Sequence, residues 1–80
     1  MPVAFVCITT EPASMVEVLK SLKVEGVVEA EMIYGIYDVV VKVEADSVEK
    51  LKRIITRRIR RIRNVATTTT MIVEQSELRD

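Results

Sequence analysis

The chain has no histidine and no tryptophan, and only one cysteine, one phenylalanine, two glycines and two prolines among its 80 residues. Each scarcity closes a class of function. A lone Cys7 cannot form an internal disulfide. With no histidine beside it, there is no nucleophile–base pair of the Cys–His kind. The same shortage leaves no cluster of metal ligands, and two isolated glycines make no phosphate-cradling loop. A small enzyme is therefore a poor reading, and no cofactor is expected. Apolar runs are of strand length, so no transmembrane span and no membrane partner is expected. The N-terminus lacks a charged segment followed by a long apolar core, which argues against a signal peptide. A soluble, reducing, cytoplasmic setting fits these features.

What the chain does have is apolar content, 49% of its residues. That is too much for a disordered segment. A chain of this length is one small domain, residues 1–80, and buries only roughly 60–65% of its unfolded surface. With no disulfide or metal to reinforce the core, oligomerisation is the expected remedy. The formal net charge is zero, but the charges are segregated. Residues 1–49 carry nine acids and three bases, whereas residues 50–63 carry eight bases and no acid.

The chain is organised around residues 32–44, which read as a strand end, a tight turn at Gly35 and a second, valine-rich strand. A tight reversal there calls for positive φ, which glycine adopts without steric cost. Asp38 follows directly. Its plainer reading is an aspartate bonding to nearby backbone N–H groups; its functional reading is a carboxylate held for a small ligand.

Taken in order, residues 3–9 alternate Ala4, Val6 and Ile8 against Phe5 and Cys7. Both sides are apolar, so this strand is expected to be central and covered on both faces. Ser14 and Glu17 form a capping-box pattern that opens a helix over roughly residues 14–22. Residues 27–33 alternate Val28, Ala30 and Met32 against Glu29 and Glu31, as in a half-exposed strand. Residues 37–44 form the third strand. Asp46, with Glu49 three residues on, is expected to cap a second helix over roughly residues 47–63, with Val48, Leu51, Ile55, Ile59 and Ile62 on one stripe. Arg53, Arg57, Arg60 and Arg61 take the opposite face, flanked by Arg58 and Arg63. Residues 65–74, with four consecutive threonines, make the last strand, and residues 75–80 a polar tail. Two split βαβ units in tandem predict an α+β, ferredoxin-like βαββαβ sandwich: a four-stranded antiparallel sheet with both helices on one face. The other face, carrying Phe5 and Cys7, is left apolar and predicts a dimer interface.

The Tyr34-Gly35-Ile36-Tyr37-Asp38 turn with its valine strand, the Ser-Val-Glu-Lys-Leu start of the second helix and the threonine-rich last strand resemble the effector-binding (RAM) domain of the Lrp/AsnC, or feast/famine, transcriptional regulators. The resemblance covers about residues 3–74. It implies dimers formed through the sheet and assembled further, commonly into octamers, with free amino acids bound at contacts between dimers. The ligand-binding positions it implies are Tyr34, Gly35, Ile36, Tyr37 and Asp38 in the turn and Thr68 and Thr70 in the last strand. Threonine hydroxyls offer both donor and acceptor there. Family members usually have threonine before the turn glycine and a polar residue after it; here Tyr34 and Ile36 stand in those places. Full-length members add an N-terminal helix-turn-helix domain, so the chain is read as a stand-alone module that pairs with full-length Lrp/AsnC-type regulators and does not itself bind DNA directly. The ACT domain shares this topology and stands as an alternative. A further alternative is nucleic-acid binding through the arginine face of the second helix. The plainer reading of that face is a solvated or interface helix whose cations meet acidic surfaces of neighbouring chains.

Overall fold

The computed structural model describes residues 1–74; the expected polar tail lies outside the described residues. The first strand, β1 (Val3–Thr10), occupies the middle of the sheet, between β3 (Val39–Glu44) and β4 (Val65–Ile72), with β2 (Val27–Met32) beyond β3. All three pairings are antiparallel. The period-2 pattern explains the central position. Ala4, Val6 and Ile8 face Val43, Val41 and Val39 across the ladder, and all six are fully buried. Onto that face pack Val18 and Leu22 from the first helix, α1 (Met15–Ser21), and its end. Leu51 and Ile54 from the second helix, α2 (Val48–Ile54), complete the layer with Ile55 and Ile59 just beyond it. Both helices therefore cover one side of the sheet, giving the expected ferredoxin-like sandwich. Each fully buried valine, leucine or isoleucine contributes about 1.5–3 kcal/mol relative to exposure.

Several local expectations are corrected. β1 is covered on one face only: Phe5 remains 37% exposed and Cys7 half-buried on the other. Ser14 does not cap α1 through its side chain; its Oγ donates back to the Glu11 carbonyl at 2.6 Å. The cap of α2 is Ser47, not Asp46, with the Ser47 hydroxyl accepting from the Lys50 N–H at 3.1 Å. α2 does not run on as an α-helix to Arg63. It passes into a π-helical turn over Ile55–Ile59, where the Arg60 N–H donates to the Ile55 carbonyl at 2.9 Å. Leu51, Ile55 and Ile59 are buried and Ile62 packs on them as expected, but Val48 stays 41% exposed and Ile54, outside the expected stripe, joins the core at 7% exposure.

The β2–β3 register shifts between Val27 and Glu29, which takes Val28 out of the ladder. Val27 then packs on the core and Val28 is exposed, the reverse of the simple alternation. The β1–β4 register shifts likewise between Thr9 and Thr10, at Ala66. The chain between β2 and β3 is not a tight turn: the strands end at Met32 and resume at Val39. Gly35 does not take positive φ; Gly26 does, at +93°. A six-residue loop spreads the reversal over several ordinary φ/ψ pairs, whereas Gly26 makes the sharp entry into β2.

Candidate effector site

The loop between β2 and β3 is closed at its neck by backbone bonds. The Ile33 N–H donates to the Asp38 carbonyl, and the Asp38 N–H donates to the Ile8 carbonyl, both at 2.9 Å. These anchor the loop on β1. Asp38 Oδ2 accepts from the Thr10 N–H at 2.8 Å and from the Thr10 hydroxyl at 3.4 Å. The bracing role of Asp38 is thus real, but it acts on the end of β1 rather than on its own turn. Oδ1 has no hydrogen-bond partner among the described residues. Asp38 also borders a cleft of about 270 Å³ formed with Thr10, Glu11, Pro12, Ala13 and Met15. Two carboxylates beside one cleft suit a cationic group.

Tyr37 turns onto the open side of the sheet, where its hydroxyl donates to Thr69 Oγ1 at 3.2 Å, passing over β1. Tyr34 and Ile36 stand fully or nearly fully in solvent, and a Cβ on Gly35 would meet nothing within 4 Å. The loop therefore presents an apolar tip around an open backbone.

Thr68 and Thr70 lie elsewhere. They pair with Ile8 and Val6, which places them on the helix side of β4. Thr70 borders a groove of about 490 Å³ with Lys52, Ile55, Thr56, Arg60 and Ile72. Thr68 lies in an adjoining hollow of about 350 Å³ with Arg60, Val65 and Thr67. One strand, β1, separates the loop's strand from β4. Within one chain the expected site residues therefore form two groups, one at the β2–β3 loop and one on β4, with β1 between them. Among the described residues they are linked by the bond from Tyr37 to Thr69, a threonine that the sequence did not single out.

Arg60, Lys52 and Thr56 also escaped sequence reasoning as site residues. A straight α-helix places Arg60 on the solvated face. The π turn, together with the edge position of β4, sets it over the threonine strand. Two cations and several hydroxyls above an apolar floor suit a carboxylate attached to an apolar body.

Among the described residues, no three His, Cys, Asp or Glu side chains converge as metal ligands. No helix among them is long and apolar enough to cross a membrane. The fold is a small α+β sandwich, an antiparallel sheet backed by two helices, with clefts at a loop and at an edge strand. The chain belongs to the Lrp/AsnC ligand binding domain family, whose model matches residues 3–79. That decides against the ACT alternative and identifies a ligand-binding domain of a family of transcription regulators.

No curated protein matches the chain. Among solved structures it is similar to FFRP-DM1, with 39% identity over 91% of this chain and 99% of that one and a TM-score of 0.85. It is also similar to the hypothetical protein PHS023 from Pyrococcus horikoshii, with 37% identity over 96% and 94% of the two chains and a TM-score of 0.85. AsnC from E. coli is 26% identical with a TM-score of 0.88, over 99% of this chain but only 54% of AsnC.

Proposed function

We propose that the chain is an amino-acid-responsive assembly module. It dimerises through the open sheet face around Phe5 and Cys7. The dimers close into higher rings, an octamer being the expected size, and combine with full-length Lrp/AsnC-type regulators in the cytoplasm. It tunes transcription through assembly and does not read a DNA sequence itself. The observation that carries this reading is the separation of the two groups of site residues. The loop of residues 34–38 and the Thr68–Thr70 groove cannot jointly enclose one small molecule within a single chain. They can do so when the loop of one copy meets β4 of another, so effector binding and assembly are one event. The free oxygen of Asp38 would then meet the effector's ammonium, and Thr68, Thr70 and Arg60 its carboxylate. The apolar tip of Tyr34 and Ile36 favours an effector with an apolar side chain.

The test is thermal unfolding, followed by native mass spectrometry, with each of the twenty amino acids at millimolar concentration. An effector at about 100 times its dissociation constant should add roughly 2.7 kcal/mol. Asp38→Asn keeps an acceptor for the Thr10 N–H but loses the charge. It should keep the fold and weaken effector binding by about 1.5–3 kcal/mol, the size of a hydrogen bond to a charged group. Absence of any response to all twenty amino acids would rule the effector role out and leave assembly alone.

A further inference from the structure

Five arginines stand within seven residues where the second helix ends: Arg57, Arg58, Arg60, Arg61 and Arg63. All five are exposed, as is Arg53. Of the eight cations in residues 50–63, Lys50 alone has an acidic partner among the described residues, Glu25 at 3.6 Å. Arg60 leans toward the Thr70 groove. Arg53, Arg57 and Arg58 line a shallow depression of about 220 Å³ on the other flank, together with Lys50 and Glu25. The cations thus cover the outer surface of the helix rather than enclose one pocket. From Lys50 to Arg60 this ridge runs about 15 Å at roughly 1.5 Å per residue. Like charges at this density repel one another, and beyond Glu49 no acid on the element offsets them.

The acids among the described residues make a poor cover. Among the described residues the exposed acids are spread thinly: Glu11, Glu17, Glu25 and Glu74 stand singly, and Glu29 with Glu31 on β2 and Asp46 with Glu49 at the start of α2 offer two carboxylates each. A second copy could therefore meet only part of the ridge at once. A duplex presents a negative charge about every 1.7 Å along its axis. The planar fork of arginine grips phosphate oxygens in pairs. The chain's three aromatic residues are Phe5, Tyr34 and Tyr37, all remote in sequence from the ridge, so it carries nothing to stack on bases.

We propose that the outward arginines Arg53, Arg57, Arg58 and Arg61 form a sequence-independent surface for the phosphate backbone of duplex DNA. This revises the expectation that the basic face meets only acidic surfaces of neighbouring chains. A regulator assembled with this module would hold DNA through the module's helices as well as through its own reading domain.

The test is fluorescence anisotropy of the full chain with two labelled duplexes of unrelated sequence. Both should bind alike. Four phosphate contacts per chain give a log–log salt slope of about −3.6, so affinity should fall about 150-fold between 50 and 200 mM salt. Arg57→Glu with Arg61→Glu should abolish binding without changing the thermal midpoint, while Arg57→Lys with Arg61→Lys should retain it. If the glutamate pair alters the mass of the assembly, Arg58→Gln decides instead, and it should flatten the slope by about 0.9. The proposal fails if wild type shows no binding at 50 mM salt, if the deciding variant binds as wild type does, or if one duplex is preferred more than tenfold at 200 mM.

Discussion

A methyl group placed on Gly26 would sit 2.6 Å from Ile54 Cδ1 and 3.2 Å from the Glu44 carbonyl oxygen. It would also have to accept φ of +93°, which costs an L-residue about 1–2 kcal/mol before any clash. Gly26→Ala should therefore lose about 2 kcal/mol or more, since Ile54 belongs to the core and must move. Gly35→Ala, in open space and without positive φ, should stay within about 0.5 kcal/mol of wild type. Urea midpoints at one protein concentration compare the two, and equal losses would contradict this assignment. The residues around Gly35 look like a hairpin, which is why the demanding role is expected there. Gly26 stands in a plainer context, and its partner Ile54 is 28 positions away in the chain, where no local pattern points to it. Asp38 was easier to read, since an aspartate at a strand start commonly binds backbone N–H groups. That the N–H belongs to Thr10 is a tertiary fact.

At the scale of elements, the strands were legible because alternation of valines, isoleucines and alanines is strong, and β3 shows it without a break. The helices were legible as amphipathic segments but not in their details. Ser47 and Asp46 are both good caps, and only backbone geometry chooses between them; Ser47 takes the extended conformation of an N-cap, with φ −143° and ψ 161°. Ser47→Ala should cost about 1 kcal/mol of stability and Asp46→Ala less than about 0.5 kcal/mol, measured as a shift in thermal midpoint. A reversed order would return the cap to Asp46. The π turn had no signature. Ile55 and Ile59 are four apart, as in an ordinary helical stripe, and nothing in their spacing tells that the hydrogen bond closes over five residues. The shifts at Val28 and Ala66 are similarly silent. Each bulge inserts one residue that a two-residue repeat absorbs without visible contradiction.

The molecule as a whole is finished on one side of its sheet and unfinished on the other. Phe5 and Met71 are cross-strand neighbours at 37% and 50% exposure, with half-buried Cys7 and Val40 beside them. Phe5→Asp would place a charge in the middle of the proposed dimer face, where an unpaired carboxylate is costly. Sedimentation should then show monomer or unfolded chain at concentrations where wild type is a dimer, and an unchanged dimer would move the interface elsewhere. The same face was visible in the sequence as the second apolar side of β1. The proposed meeting of loop and edge strand between copies was not, because a periodic pattern describes one chain at a time. The loop also has an optical consequence. With no tryptophan in the chain, excitation too long in wavelength for Phe5 leaves its emission to Tyr34 and Tyr37, which both lie in that loop. One ring stands in water, while the other is half-buried with its hydroxyl bonded to Thr69. Unlabelled protein therefore carries an intrinsic tyrosine probe at the proposed effector site: emission changes under that excitation report on the loop and its Thr69 contact.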